Sequence, residues 1–292
     1  MNTTTMHNPL IFEPLIGETG KPCSFGVLIK PGRPNVHISE LSVEWLRSLV
    51  LSHQLVVLRG FDNFDSSESL TLYCATFGEI MMWPFGAVLE LIEHANPIDH
   101  IFSNSYVPLH WDGMYLETVP EFQLFQCVHG TSETQGGRTT FSSTVEALRI
   151  VTPEARELWQ RAVGRYQRTV ELYSSTTQAP IINSHPHRGF PIMRFCEPPI
   201  ENDDSFINPS EYSFEGISVS EKETLLNSLK QTLHDPRAYY AHQWQKGDFA
   251  LADNLSLLHG REKYTHQTGR HLRRVHIHGR PPVTNGHLEV RK

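Results

Sequence analysis

Residues 249–278 read FALADNLSLLHGREKYTHQTGRHLRRVHIH, and the pattern of this stretch decides the fold class. It holds three short strand-like runs, 249–252, 256–259 and 272–278, set apart by polar residues and glycine. Runs of that length bounded by turn residues are strands. Working outward, similar runs recur at 55–59, 109–115, 122–128, 139–142, 166–172, 191–195 and 239–245. Many short strands split by Gly and Pro predict a barrel or a double-sheet jelly roll. Helix signals are fewer. Ser39 caps a helix through about Gln54, with Leu41, Trp45, Leu46 and Leu49 on one stripe. Asp65 with Glu68 makes a capping box for a helix that Gly78 ends. Thr152-Pro153 opens another through about Ala162, and Ser220 with Glu223 a last one through about Leu233. The expectation is a mainly β protein, a sandwich core with flanking helices.

The composition narrows the function classes. The chain has 292 residues, 39% hydrophobic and 20% charged, which is an ordinary globular balance and excludes a disordered chain. With 25 Lys and Arg against 32 Asp and Glu, the net charge is −7. That argues against nucleic acid and against anionic membranes as partners. No apolar run has the length of a membrane span. The first ten residues, MNTTTMHNPL, lack the basic and apolar regions of a secretory signal. Cys23, Cys74, Cys127 and Cys196 form no CxxC pair, so reduced thiols and a cytoplasmic location are expected. No repeat or Gly/Ser linker divides the chain. One domain is expected over residues 1–292, with a loop and helix insertion at about 197–235, where Pro198, Pro199, Asp203 and Asp204 mark the loop.

Four local signals carry chemistry. His110-Trp111-Asp112 would place an imidazole and a carboxylate on one face of a strand, with Trp111 opposite. Alone, such an HxD pair occurs by chance. His259 follows an apolar strand and adds a second imidazole. Two histidines and a carboxylate leave open coordination positions and suit non-haem Fe(II) oxygen chemistry. Arg270 and Arg274 lie eleven and fifteen residues after His259 and share a strand face with Leu272. A buried guanidinium offers a planar fork to a carboxylate, as a keto acid chelated to iron would need. Arg273, opposite, reads as solvated, and so does Arg261. Gly136-Gly137-Arg138-Thr139 makes a tight turn that sets a hydroxyl at a strand start.

HWD, GGRTTFSS, DNLSLLHGR and RHLRRVHIHG, in this order and spacing, resemble the TauD/TfdA family of Fe(II)- and 2-oxoglutarate-dependent oxygenases. The likeness spans nearly the whole chain, including VVLRGF at 56–61 and FGE at 77–79. It implies a double-stranded β-helix, with Fe(II) as cofactor and 2-oxoglutarate and O2 as cosubstrates. It implies His110, Asp112 and His259 as iron ligands, and Thr139 and Arg270 as the grip on the far carboxylate of 2-oxoglutarate. Arg274 matches the second arginine, near the keto acid's other end and the substrate. The family's GGDT turn has Arg138 in place of its aspartate, at a position expected on the surface. Residues 25–61 and PLHWDGMY resemble in particular the PvcB-type oxygenases of isonitrile biosynthesis. That likeness implies tyrosine isonitrile as the small-molecule substrate, with alkene formation by desaturation or by oxidative decarboxylation. It leaves a homo-oligomer open.

Trp83 and Phe85, in the stretch 82–85 that resembles the family's covering loop, and Tyr115 are candidates to stack on the substrate ring. Arg188 is a candidate carboxylate partner. His276 and His278 read as structural, and His185-Pro186-His187 as a loop. The alternatives weighed are a hydroxylase of another small acid or amine and a zinc hydrolase using the same three ligands. A zinc hydrolase has no need of Arg270.

Overall fold

The computed structural model describes residues 9–170, 173–199 and 206–290. The first eight residues, Leu172, and Asp203 and Asp204 of the expected loop lie outside the described residues.

Two facing sheets make the core. The larger has seven strands in the order Leu10–Ile16, Pro22–Pro31, Leu55–Leu58, Phe249–Asp253, Phe122–His129, His271–Ile277 and Val88–Ile92. The smaller has four, in the order Tyr239–His242, Thr139–Ser143, Leu257–Arg261 and Val107–His110. Sequence-distant strands therefore lie side by side, and the fold is the expected jelly roll with flanking helices. Period-two alternation sorts the side chains. Phe125, Phe141, Leu257 and Leu272 point between the sheets and pack together. Fully burying each is worth roughly 1.5–3 kcal/mol. Leu124, Leu251 and Val275 point the other way, onto helices α1 (Val43–His53) and α2 (Ser67–Phe77). Leu258 points outward too, onto α3 (Thr144–Ile150), α4 (Pro153–Arg161) and α5 (Lys222–Leu233). A further four-stranded sheet, Glu211–Glu215, Val163–Val170, Tyr173–Pro180 and Leu288–Val290, stands beside this core.

Several boundaries differ from expectation. α1 is capped by Ser42, whose hydroxyl accepts from the Trp45 amide, because Ser39 is taken into a 3-10 turn at Ile38–Glu40. α2 is capped by Ser66, not Asp65, through a reciprocal pair with Ser69. Thr152 caps α4 with Pro153 in its first turn, as expected. The helix expected from Ser220 begins at Lys222, after a 3-10 turn boxed by Ser218 and Glu221. α3 was not anticipated, since its cap, Ser143, is also the last residue of a strand. Most consequential, the strand expected over 109–115 stops at His110.

Candidate active site

His110 and His259 meet because their strands pair in register. The two residues are direct cross-strand partners, with ring centroids 4.4 Å apart. Asp112 arrives differently from the strand alternation expected of HxD. The chain turns after His110, and Gly113 takes φ +85°, where an added Cβ would lie 2.7 Å from Pro120. Asn254 holds that turn. Its Oδ1 accepts from the Asp112 amide at 2.9 Å, and its Nδ2 donates to the Asp112 and Pro120 carbonyls at 3.0 and 2.8 Å. Asp112 Oδ1 then lies 3.7 Å from His110 Nε2, and Oδ2 3.6 Å from His259 Nε2. One ligand atom from each of the three residues falls within 4.8 Å of the others.

The surroundings fit a metal. His110 Nδ1 donates to the Pro108 carbonyl at 2.8 Å, which leaves Nε2 with its lone pair facing inward. Three donors converge on Asp112 Oδ2: Arg274 Nη1 at 2.8 Å, His276 Nε2 at 2.8 Å and Gln123 Nε2 at 2.5 Å. Oδ1 is the oxygen they leave for a ligand bond. Burial pushes the Asp112 carboxyl up, but the Arg274 guanidinium beside it, foremost among its neighbours, holds the group well below its usual range. Burial, with His110 adding to it, keeps the His259 ring neutral. A neutral imidazole at His259 and an ionised carboxylate at Asp112 are protonation states that metal ligation requires.

Arg270 and Thr139 meet on the far side of His259. Arg270 is buried, donates from Nε to the Gly137 carbonyl at 2.8 Å, and reaches Thr139 Oγ1 at 3.3 Å. Trp244 Nε1 donates to the same hydroxyl at 2.8 Å. No described carboxylate lies within ion-pair distance of Arg270, and burial pulls its guanidinium down to about 9. A buried cation in that condition calls for an anion. Arg274 Nε is buried with no hydrogen-bond partner among the described residues.

Two cavities meet at this point. The larger, about 170 Å³, is lined by His110, Asp112, Trp83, Phe85 and Tyr115. The smaller, about 50 Å³, is lined by His259, Thr139 and Arg270. His110 and Arg274 belong to both walls. One side therefore offers an anion site beside the triad, and the other an aromatic-walled chamber.

Some expectations are corrected. Arg188 does meet a carboxylate, but it is the chain's own Asp253 at 2.8 Å, and Arg188 lines neither cavity. Arg261 is not solvated: its guanidinium is buried and donates to the carbonyls of His100, Ile101, Ser103 and Ser105. Arg273 is also mostly buried, against Glu90 at 3.3 Å. Arg138 is partly exposed and pairs with Glu262 and Glu18. His276 is more than structural, since it touches Asp112. Its signal was the same period-two face that carries Arg270, Leu272 and Arg274. Asn254 and Gln123 were missed: nothing local marks a buried amide as a clamp.

Known proteins match this architecture along its length. A protein from Erwinia amylovora named "Tyrosine isonitrile desaturase" is 73% identical over 288 residues, covering 99% of each chain. A "3-((Z)-2-isocyanoethenyl)-1H-indole synthase" from Fischerella ambigua is 39% identical over 254 residues, 87% of this chain and 92% of that one. The solved structure of PvcB, described as an Fe, alpha-ketoglutarate dependent oxygenase from an isonitrile synthetic pathway, superposes with a TM-score of 0.85 at 51% identity over 99% of both chains. The family model for "Taurine catabolism dioxygenase TauD, TfdA family" matches residues 20–276, a span that contains the triad, both arginines and Thr139. Two facing sheets with a His-Asp-His cluster between two cavities, matched over that span, establish that the chain belongs to the TauD/TfdA family.

Proposed function

We propose that the protein is an Fe(II)- and 2-oxoglutarate-dependent oxygenase that forms a carbon–carbon double bond in tyrosine isonitrile during isonitrile biosynthesis. The observation that carries this reading is the meeting of the two cavities at His110, Asp112 and His259, with a buried arginine in one of them that has no carboxylate partner among the described residues. The tyrosine isonitrile desaturase relative supports the substrate. Bound Fe(II) supplies a two-electron oxidation in which the substrate loses two hydrogens while O2 and 2-oxoglutarate become water, succinate and carbon dioxide.

In this reading His110, Asp112 and His259 hold the metal. The three donors on Asp112 Oδ2 fix the carboxylate as a one-oxygen ligand, so the remaining positions stay open. Arg270 and Thr139 take the far carboxylate of 2-oxoglutarate in the smaller cavity, and the pairing relieves the desolvated guanidinium. Trp83 and Phe85, stacked at 5.7 Å, wall the larger cavity against water. Arg274 stands at the junction, where it steadies Asp112 and faces both compartments.

The test is turnover with mass analysis. Succinate should form only when Fe(II), O2, 2-oxoglutarate and tyrosine isonitrile are all present. The product should carry a new alkene, two hydrogens lighter if the carboxylate stays. Activity with zinc and without O2 would overturn the reaction class. A stable hydroxylated product with no alkene would make the protein a hydroxylase.

A further inference from the structure

The larger cavity has a charged patch that the metal and the keto acid leave unused. Arg168, on the strand Val163–Val170, donates from Nη2 to Asp99 Oδ2 at 2.6 Å, and the two side chains are only 10% and 15% exposed. Both residues line the chamber that also holds His110 and Asp112. His100 beside them stacks on Phe206 at 4.4 Å between centroids. Burial and Arg168 keep its ring uncharged. Much of the remaining wall is apolar, with Leu89, Val107, Met114 and Tyr115 among its members.

The chemistry of that patch selects what it can bind. An arginine already matched by a carboxylate is a poor receptor for a second carboxylate, which Asp99 would repel. A neutral hydroxyl suits both partners, because its O–H donates to Asp99 while its oxygen accepts from Arg168. The apolar wall suits an aromatic ring carrying that hydroxyl. Of the arginines near the triad, Arg270 borders the smaller cavity alone and Arg274 stands where the two cavities meet, while Arg168 borders only the larger. We infer that the Arg168–Asp99 pair is the subsite for the phenolic hydroxyl of the substrate, and that it sets the preference for a hydroxylated ring. This deepens the function proposed above and rests on it. The substrate then lies with its ring toward this pair and its side-chain carbons toward the metal ligands.

The experiment compares kcat/KM for tyrosine isonitrile and for the ring-deoxy analogue, phenylalanine isonitrile, using the iron-loaded enzyme. A buried polar site left without its hydroxyl rejects the deoxy analogue. Because Asp99 and Arg168 still satisfy each other, the penalty here is moderate, about a hundredfold in favour of tyrosine isonitrile. Asp99→Asn keeps the shape, removes the charged acceptor, and should erase most of that preference. Arg168→Gln should do the same from the other side. The KM for 2-oxoglutarate serves as the check that each variant is folded. Equal kcat/KM for the two substrates in the unaltered enzyme would overturn the subsite. So would variants that slow both substrates by the same factor. A tyramine-derived isonitrile, which lacks the carboxylate, separates the remaining case: if the variants lose rate on the two acids but not on this compound, the pair binds the carboxylate and the inference is wrong. No succinate from any of the three substrates in the unaltered enzyme would instead sink the proposed reaction, and the subsite with it.

Discussion

Replacing Arg270 by methionine should separate ligand binding from folding. In the ligand-free protein Arg270 is a fully buried cation with two hydrogen bonds, to Gly137 and Thr139, and no described carboxylate partner. Its guanidinium is pulled down to about 9, chiefly by burial, with Arg261 adding to the fall. A group whose charged form is disfavoured by that much costs the ligand-free fold several kcal/mol. Methionine removes this cost while giving up two hydrogen bonds worth about 1 kcal/mol each. The ligand-free variant should therefore be no less heat-stable than the original. Binding moves the opposite way. Losing one partner of a buried charge pair costs roughly 2–5 kcal/mol. At 1.4 kcal/mol per tenfold, the Kd for 2-oxoglutarate should rise by about 30-fold or more. The assay is calorimetric titration of 2-oxoglutarate into the metal-loaded protein, with thermal melts of the ligand-free forms. Arg273→Ala is the control. Arg273 faces the helix side and touches Glu90, so its loss should lower stability modestly and leave 2-oxoglutarate affinity alone. Equal loss of affinity in both variants would refute the assigned strand face. A sharp fall in the melting temperature of the ligand-free Arg270→Met protein would refute the claim that the cation is unpaired.

Asp112→Ala should abolish Fe(II) binding, read directly by metal titration, and succinate formation with it; near-normal succinate would remove Asp112 from the ligand set. Gly260→Ala places a Cβ 2.5 Å from the Val107 carbonyl and 2.9 Å from Thr140 Oγ1, between the strands that carry His110 and His259. It should cost about 1–3 kcal/mol by overpacking and weaken Fe(II) binding together with stability, whereas unchanged iron affinity would mean the two histidines need not stay in register. Asp248 gives the pH prediction. Burial raises its carboxyl, but the bonds from Arg59 at 2.8 and 2.6 Å and from His242 at 3.1 Å win and leave it below its ordinary 3.8. A depressed carboxylate stabilises the fold above its unfolded value, and that contribution is lost as pH falls through the folded one. Asp248→Asn should thus flatten acid destabilisation below about pH 4 in melts taken across pH, and an unchanged acid limb would refute this role.

The jelly roll was legible because short strand-like runs and turn residues recur along the chain, as in the stretch from 249 to 278. The three candidate ligands were legible only jointly, from the order and spacing of HWD, DNLSLLHGR and RHLRRVHIHG, since no one of these histidines stands out alone. The face shared by Arg270, Leu272 and Arg274 followed from strand period alone, and by the same rule it includes His276. Helix starts were harder. Ser39 and Ser42 offer the same hydroxyl, and the choice falls to backbone geometry that places Ser39 in a 3-10 turn.

What the tertiary structure decided concerns partners far apart in the chain. His259 faces His110 because of cross-strand register, which no local pattern encodes. Asp112 joins them through a glycine turn held by Asn254, 142 residues away, where the strand reading of HxD had the right partner for the wrong reason. Arg261, Arg188 and Arg168 look alike in sequence, as arginines in polar surroundings. Their fates differ because burial forces each to find acceptors: four carbonyls for Arg261, Asp253 for Arg188, and Asp99 for Arg168. A chain's own sequence specifies which groups can ionise or donate. Which of them lose water, and so must pair with one another or with a ligand, is fixed only when the sheets close.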